Sequence, residues 1–365
     1  MSDQPQRRPG IGLAMSGGGF RATLFHVGSL RRLNELGYLP RLSMLTSVSG
    51  GSITSGVLAH RWPQLKFDPA NDVAGNFVDV IEKPLREFCA LNVDVLAGLK
   101  GLLPGKSGAD ATAAVYDQRL FHGAKLIDLP AGPGIPMFLF YATSLQTGAS
   151  VRMTKDFLAD WKIGRLPSPP IPIATAVAAS SAFPPVLSPM IIKTDPAKWE
   201  DMPGTLYFNE PKYRSTLILS DGGVYDNLGL EAIASRLDTV LVSDAGAPLV
   251  PEPDASGEWA HLTARVMDVI TDQARALRKR KLIEDFNSGA AKGTYWGITT
   301  HIDDYHLSLA NWYFRLLLAA EIVRGNVAAN RTHPVKRAAV PACLISPGEC
   351  LHGVTDDNGY CCSKS

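Results

Sequence analysis

The sequence has few cysteines, no long apolar run and almost no net charge. Cys89 is the only cysteine before residue 343 of the 365-residue chain, so disulfides cannot hold that part together and a reducing compartment is indicated. No stretch of roughly 18 or more uncharged apolar residues occurs, which argues against a membrane-spanning helix. The net charge is +1, and this balance gives no indication of nucleic-acid binding.

The two ends of the chain differ in composition from its middle. Residues 1–9 are polar, and the apolar run Ile11–Met15 is too short for a signal-peptide core, so we expect a cytoplasmic protein, with membrane association left open. Residues 10–330 are assigned to one domain, and residues 331–365 to an irregular tail. The tail contains Cys343, Cys350, Cys361 and Cys362, whose spacings match no common zinc site.

Apolar runs alternate with helical patterns along the body of the chain. This rhythm predicts an α/β fold of three layers, in which helices cover both faces of a mainly parallel central sheet. Strands are predicted at Ile11–Met15, Leu42–Val48, Pro136–Thr143, Leu217–Ser220 and Val240–Ser243. Helices are predicted at Ala22–Leu36, Gly51–Ala59, Ala174–Ser181 and Leu228–Leu237. With 45% apolar residues, the chain can bury a core of this size.

A glycine-rich loop, Ser16–Arg21, lies between the first predicted strand and the first helix. Gly17, Gly18 and Gly19 leave the backbone open, so their N–H groups can converge on an anion at the helix N-terminus. Arg21 can brace the loop or add positive potential. The loop is therefore a candidate oxyanion site.

The same loop also matches a dinucleotide-binding pattern, Gly17-x-Gly19-x-x-Ala22. That fold needs an aspartate or glutamate at the end of the second strand to hold a ribose, and no acidic residue occurs from Arg41 to Pro63. A Walker-type phosphate loop matches less well, because no Gly-Lys-Ser/Thr follows. These missing signals favour the oxyanion interpretation.

A serine-rich turn follows the second predicted strand. Ser49 lies at its apex, where a tight strand-to-helix turn can hold a serine out as a nucleophile. Gly51 keeps the start of the next helix open, and Ser47 supplies the small residue needed where strand and helix pass closely. Ser52 is placed in the first helical turn. Alone, such a Ser/Gly turn is a weak signal.

A third motif, Asp221-Gly222-Gly223, ends the predicted strand Leu217–Ser220. Ligand sites of open α/β sheets lie at the carboxyl ends of strands, so Asp221 can approach Ser49 as its base. An Asp-Gly pair is by itself a common turn. The presence of the other two motifs favours the catalytic interpretation.

In this order along the chain, the three motifs resemble the patatin-like phospholipase family. Its signature is Gly-Gly-Gly-x-Arg/Lys-Gly, then Gly-x-Ser-x-Gly, then Asp-Gly-Gly/Ala. Two positions depart from it, since Ala22 and Ser47 stand where the family has glycine. A small-residue turn, Ala178–Pro185, is also similar to the family. The resemblance extends from about Gly10 to Asn227 and, less distinctly, to about Arg324.

The resemblance implies a lipid acyl hydrolase of the phospholipase A type, with a Ser49 acyl-enzyme and Asp221 as the base. Its oxyanion hole would consist of Gly17, Gly18 and Gly19. Supporting residues would be Arg21, Gly51, Gly222, Gly223 and Asn227. This chemistry needs no metal and no other cofactor. The expected partner is a phospholipid or another acyl-ester lipid, and the oligomeric state is left open.

Three alternatives remain open beside this interpretation. The first is a general carboxylesterase or thioesterase of the same fold, and the second is a lipid-binding protein without catalysis. The third is a Ser–His–Asp triad, which needs a histidine after the acid, and His301 is the best placed. His26 lies within the first predicted helix and is expected to be packed there.

Two segments are candidates for peripheral contact with a lipid surface. Phe88–Leu103 is rich in apolar residues. The second candidate is a basic helical stretch that contains Arg275, Arg278, Lys279, Arg280 and Lys281. Because a run of charges is usually a solvated helix face, membrane contact stays a hypothesis at this stage.

Overall fold

The structure is a computed structural model that describes residues 7–91, 108–184, 187–254 and 257–300. Met1–Tyr295 form one compact unit, and Trp296–Ser365 form a second. The fold and the candidate site belong to the first unit. The predicted domain boundary at residue 330 and the cysteine-rich tail lie outside the described residues.

The described residues form twelve strands and a set of flanking helices. The strands are β1 (Arg8–Met15), β2 (Leu42–Ser47), β3 (Phe67–Asp68), β4 (Val73–Ala74), β5 (Met137–Ser144), β6 (Ser150–Met153), β7 (Phe157–Asp160), β8 (Gly164–Pro167), β9 (Met190–Lys193), β10 (Thr216–Asp221), β11 (Leu237–Asp244) and β12 (Lys292–Gly297). The α-helices are α1 (Gly19–Glu35), α2 (Gly50–Arg61), α3 (Lys83–Ala90), α4 (Gly108–Tyr116), α5 (Ile173–Ser180), α6 (Pro211–Ser215), α7 (Gly223–Asp226), α8 (Glu231–Ala234) and α9 (Trp259–Asn287).

Four parallel strands form the centre of the sheet, in the order β11-β1-β2-β5. The last residue of β1, Met15, lies opposite Ser243 of β11 and Ser47 of β2, so the carboxyl ends of these strands are level. Leu13, Ala14 and Met15 are all fully buried. Such a continuous apolar run is typical of a strand that is covered on both faces.

The predicted α/β class, with a sheet between flanking helices, is confirmed. One face of β1, β2 and β11 packs into an apolar core with α8 and α9 that includes Ala14, Met44, Val242, Ile233 and Leu282. On one side the sheet continues from β5 into the antiparallel strands β6, β7 and β8. The alternation of the sequence did not indicate this antiparallel half, because its strands are only four residues long.

Strands β2 and β10 lie end to end along the same edge of β5. Two residues of β5 have partners on both sides. Phe140 pairs with β6 and with β2, and Ala142 pairs with β6 and with β10. A strand has two edges, so β2 and β10 must share the edge that β6 leaves open. β10 runs antiparallel to β5, and its last residue, Asp221, therefore approaches the last residue of β2, Ser47. The base and the nucleophile motifs meet at this point.

The single helix predicted over Leu228–Leu237 is wrong. Within this range the chain forms the short helix α8, and β11 already begins at Leu237. Gly229 adopts a left-handed conformation with φ of 69°, which interrupts the helix. Its carbonyl oxygen accepts a hydrogen bond from Thr46 Oγ1 at 2.7 Å, so this break is fixed by a long-range contact.

Candidate active site

Ser49 lies on a strained turn between β2 and α2. Its φ of 51° and ψ of −120° are rarely adopted by a residue with a side chain, and such strain is typical of functional turns. The turn also needs its glycines. A Cβ on Gly50 would lie 2.1 Å from the carbonyl oxygen of Gly19, and one on Gly51 would lie 2.6 Å from that of Met15. The predicted role of Gly51 in keeping the helix start open agrees with this close approach.

Asp221 lies at the end of β10 and is almost completely buried. The Gly223 N–H donates a hydrogen bond of 2.6 Å to Asp221 Oδ1. Burial raises the pKa of Asp221 to about 7, although hydrogen bonds from the Gly223 amide and the Ser49 side chain act in the opposite direction. The fold thus brings the predicted nucleophile and base into contact across distant parts of the sequence.

Asn227 connects the glycine-rich loop to the segment after Asp221. Its carbonyl oxygen accepts a hydrogen bond from the Gly17 N–H at 3.0 Å. A Cβ on Gly17 would lie 2.3 Å from Asn227 Oδ1 and 3.2 Å from the Cβ of Ser49, and one on Gly223 would lie 2.7 Å from Asn227 Oδ1. Because the Gly17 donor is already used, it does not suit the oxyanion role that the sequence suggested for it.

Gly18 and Gly19 form the start of α1, with φ values of 138° and 65° that favour glycine. Among the described residues, neither amide N–H has a hydrogen-bond acceptor. Both residues line the same cavity as Ser49 and Asp221. Two N–H groups at a helix N-terminus, where the helix dipole is positive, can stabilise an oxyanion on a substrate bound there.

The other two supporting residues have structural contacts. Arg21 donates a hydrogen bond of 3.3 Å to the carbonyl oxygen of Ala245, so it braces the loop after β11. A Cβ on Gly222 would lie 2.6 Å from the carbonyl oxygen of Tyr141, where β10 meets β5. Glycine is therefore required at residue 222 for this close passage.

His26 is fully buried and structural, as the sequence predicted. Its Nε2 donates to the carbonyl oxygen of Ser16 at 2.9 Å, so its Nδ1 accepts from Ser243 Oγ at 2.8 Å. Burial lowers the pKa of His26 to about 4. No histidine lines the cavity within the described parts of the chain. The triad candidate His301 lies outside them.

A cavity of about 670 Å³ opens above Ser49 and Asp221. One part of its lining is apolar and includes Ile53, Phe183, Leu187, Leu249 and Val250. A polar part comes from α9 and includes Arg265, Asp268, Thr271, Asp272 and Arg275. The cavity therefore offers a bound ligand one apolar wall and one polar wall.

A buried ion pair holds the loop that forms one wall of the cavity. Arg275 Nη1 lies 3.2 Å from Asp244 Oδ2 and donates to the carbonyl oxygen of Gly246 at 2.9 Å. The Gly246 N–H and the Tyr295 hydroxyl donate to Asp244 at 2.8 and 2.7 Å. Sequence analysis missed Asp244, although it follows a predicted strand directly, as Asp221 does.

Two of the arginines in the basic stretch of α9 are held by ion pairs, and contact of this stretch with a lipid surface stays a prediction. Arg275 is bound to Asp244, and Arg278 Nε lies 3.4 Å from the buried carboxyl group of Asp226. Lys281 pairs with Asp285 at 2.5 Å. Arg275 and Arg278 pair with residues outside α9, whereas the Lys281 side chain is 67% exposed and its partner lies one turn further along α9 itself.

The described residues contain no helix that is long and apolar enough to cross a bilayer. Within the same residues, no three histidine, cysteine, aspartate or glutamate side chains are grouped so that they could hold a metal ion.

The model of a family described as patatin-like phospholipase matches residues 13–234. A comparison with curated proteins finds no match. Among solved structures, human GIVD cytosolic phospholipase A2 in complex with methyl gamma-linolenyl fluorophosphonate and terbium chloride is 19% identical, with a TM-score of 0.39. VipD from Legionella pneumophila is 18% identical (TM-score 0.32), and the ExoU–SpcU complex of Pseudomonas aeruginosa is 18% identical (TM-score 0.27).

These alignments are partial on both sides. They cover 71%, 68% and 50% of this chain, in the same order, and 43%, 51% and 38% of the solved chains. The chain thus spans about half or less of the length of the solved structures that it matches.

Proposed function

Since the chain belongs to the patatin-like phospholipase family, a family of lipid acyl hydrolases, we propose that it cleaves acyl esters of phospholipids with Ser49 as nucleophile and Asp221 as base. One observation carries this proposal. A buried carboxyl group, whose pKa is raised to about 7, interacts with a serine on a strained turn. Both face a cavity that is also lined by Gly18 and Gly19, whose amides have no acceptor among the described residues.

In the acylation step, the Ser49 oxygen attacks the ester carbonyl carbon and the Asp221 carboxylate accepts the serine proton. The negative charge that develops on the carbonyl oxygen is stabilised by the Gly18 and Gly19 N–H groups. The bond to the alcohol then breaks, and Asp221 returns the proton to the leaving lysolipid oxygen. The acyl group remains as an ester on Ser49.

In the deacylation step, a water molecule gives a proton to Asp221 and attacks the acyl-enzyme carbonyl carbon. The fatty acid leaves when the bond to the Ser49 oxygen breaks, and Asp221 returns the proton to that oxygen. The raised pKa of Asp221 supports this role, because a carboxylate with an ordinary pKa is a weak base near neutral pH.

Peripheral contact with a lipid surface is proposed for the first two turns of α9 and the loop before it. Trp259 is 80% exposed and Val250 is 71% exposed, and Leu262 and Val266 are also exposed. Val250 lines the cavity, so apolar surface continues from the cavity to the outside. Exposed apolar groups with a tryptophan suit the boundary of a bilayer.

The other candidate for lipid contact, Phe88–Leu103, begins with a side chain that is buried and cannot reach a lipid surface. Phe88 is buried, and its ring packs edge-to-face against Phe20 and Tyr116. Residues 92–103 lie outside the described residues.

The test is the release of free fatty acid and lysolipid from mixed phospholipid vesicles, followed by mass spectrometry. Wild type is compared with Ser49→Ala, Asp221→Asn and Ser55→Ala, a control whose buried hydroxyl has no hydrogen-bond partner. We expect release by wild type and Ser55→Ala only. Hydrolysis of short soluble esters or thioesters without phospholipid cleavage would instead identify a carboxylesterase or thioesterase. Vesicle binding without any hydrolysis would identify a lipid-binding protein.

A further inference from the structure

Ser180, the last residue of α5, contacts the backbones of both catalytic segments. Its carbonyl oxygen accepts hydrogen bonds from the Ser49 N–H at 3.1 Å and from the Gly222 N–H at 3.3 Å. Its Oγ also accepts from the Ser49 N–H, at 3.0 Å. Two residues further on, the carbonyl oxygen of Ala182 accepts from the Asp221 N–H at 2.9 Å. The end of α5 therefore fixes the backbones of Ser49 and Asp221 relative to each other.

The Ser180 hydroxyl begins a chain of buried hydroxyl groups. Ser180 Oγ lies 2.8 Å from Ser52 Oγ, Ser52 Oγ donates to Ser47 Oγ at 3.0 Å, and Ser47 Oγ donates to the carbonyl oxygen of Leu139 at 3.4 Å. Ser47, Ser52 and Ser180 are all fully buried. They do not line the cavity and do not touch Asp221 through a side chain.

The two ends of this chain fix the direction of every hydrogen bond in it. The Ser49 N–H can only donate, so Ser180 Oγ accepts from it. Because Ser52 gives its own proton to Ser47, Ser180 must be the donor in its hydrogen bond with Ser52. The Leu139 carbonyl can only accept, so it receives the last proton, from Ser47. All three hydroxyls thus act once as donor and once as acceptor. A fully satisfied polar network of this kind is rigid and favours one arrangement.

The network gives a physical reason for the departure of Ser47 from the family pattern. A glycine at residue 47 would leave the Ser52 hydroxyl without its acceptor. The serine connects the strained turn to β5 through Leu139, and β5 also aligns β10 and its Asp221. The turn is therefore supported from α5 on one side and from β5 on the other.

We propose that Ser180 is a positioning residue for the Ser49–Asp221 pair, and that its hydroxyl, through Ser52 and Ser47, keeps the Ser49 turn in its reactive conformation. This proposal rests on the proposed function. Ser180 touches neither substrate nor reacting atoms, so it acts only through Ser49. Loss of its hydroxyl should lower the turnover of bound substrate and leave the affinity for substrate unchanged.

The experiment compares steady-state hydrolysis by wild type, Ser180→Ala, Ser52→Ala and the double variant, with Ser55→Ala as the matched buried-serine control on α2. We expect kcat of Ser180→Ala to fall by on the order of tenfold, with KM within about twofold of wild type. The double variant should lose little more than Ser180→Ala alone, because both changes break the same chain. Unchanged kcat in Ser180→Ala, or effects of the two changes that multiply, would overturn the proposal.

The pH profile separates positioning from a general loss of stability. The Ser49 hydrogen bond lowers the pKa of Asp221, so a displaced Ser49 should move the acidic limb of the kcat/KM profile to higher pH in Ser180→Ala. A merely structural defect lowers the amount of folded enzyme and leaves the limb in place. If Ser180→Ala does not fold, kcat, KM and the pH profile are measured on the milder variant Ser52→Ala instead.

A second readout separates failure of this inference from failure of the proposed function. The rate at which a fluorophosphonate probe labels Ser49 reports the reactivity of that serine without any lipid substrate. Labelling that is fast in wild type and slowed in Ser180→Ala supports the inference even if no phospholipid is cleaved. Equal labelling rates in the two proteins would overturn the inference alone, and no labelling of wild type would overturn the proposed function and the inference together.

Discussion

Gly17 donates its backbone N–H to the carbonyl oxygen of Asn227, at 3.0 Å, and the Asn227 side chain fills the space beside its Cα. This contact joins the glycine-rich loop to the segment that follows the base. It removes Gly17 from the set of free donors and gives it a steric role instead. The oxyanion hole of the proposed mechanism therefore begins at Gly18.

Gly17→Ala should reduce activity strongly, because the new Cβ would lie 2.3 Å from Asn227 Oδ1 and 3.2 Å from the Cβ of Ser49. We expect a loss of at least about tenfold in kcat and of about 1–3 kcal/mol in the free energy of unfolding. The control is Gly28→Ala in α1, where the Cβ meets no atom within 4 Å. That change should keep full activity and add about 0.5–1 kcal/mol of stability. Equal behaviour of the two variants would contradict the steric role.

Activity should rise with pH through about 7, because Asp221 must be ionised to accept the serine proton and its pKa is raised to about 7. The measurement is kcat/KM from pH 5 to 9 on a soluble ester whose ionisation does not change in this range. The acidic limb should be absent from the residual activity of Asp221→Asn. An acidic limb with the same midpoint in Asp221→Asn would show that Asp221 is not the base.

The free energy of unfolding should fall as the pH rises, whereas the activity should increase. The pKa of Asp221 is about 7 in the folded chain and 3.8 when unperturbed, so its contribution to folding is fully present below pH 3.8 and is lost as the pH rises through 7. Over this window wild type should lose about 1.4 kcal/mol per pH unit relative to Asp221→Asn. Denaturant unfolding of both proteins at pH 5 and 8 measures the difference. The comparison cancels the titration of His26, which is present in both.

Arg275→Ala should destabilise the protein by about 3–5 kcal/mol, because it leaves the buried carboxylate of Asp244 without its cation. The exposed pair of Lys281 with Asp285 is the matched control, and Lys281→Ala should cost less than about 1 kcal/mol. Urea unfolding of the two variants gives the comparison. Arg275→Ala should also lose activity in the folded state, because the loop at Gly246 and Ala247 lines the cavity.

Trp259→Ser combined with Leu262→Ser should weaken binding to phospholipid vesicles, because each change removes an exposed apolar side chain near the cavity. Leu206→Ser is the control, since Leu206 is 61% exposed but lies elsewhere in the chain. Co-sedimentation of the inactive Ser49→Ala protein with vesicles gives the affinity. With Ser49 intact, the double variant and Leu206→Ser should both hydrolyse a soluble ester as fast as wild type. Equal vesicle binding by the double variant and the control would show that this surface is not the contact.

The sequence predicted those parts of the candidate site whose backbone geometry follows from a short local motif. The glycines of the first loop, the serine between two small residues and the aspartate at a strand end each identify a strand-to-helix turn. The burial of His26 could be predicted in the same way, from its position in an amphipathic helix. These signals need no knowledge of distant contacts.

The parts that could not be predicted depend on contacts between distant segments. Nothing near Ser180 indicates that it binds the Ser49 backbone, because the two residues are 131 positions apart in the sequence. The sequence showed Arg275 and Arg278 as part of a basic run that could face a lipid surface or solvent, because their partners Asp244 and Asp226 lie far away in sequence. The break of the helix at Gly229 depends in the same way on Thr46.

Because β2 and β10 lie end to end along β5, β5 determines the spacing of the two proposed catalytic residues. β5 itself contributes no reacting group. The distance between Ser49 and Asp221 depends on where β2 and β10 end along β5. β2 ends opposite Phe140 and β10 ends opposite Ala142, so only Tyr141 lies between the two ends. Side chains alternate between the faces of a strand, so a slip of one residue in the pairing of β10 would turn Asp221 away from Ser49. The proposed catalysis therefore depends on the pairing register of β5, although no described residue of β5 lines the cavity.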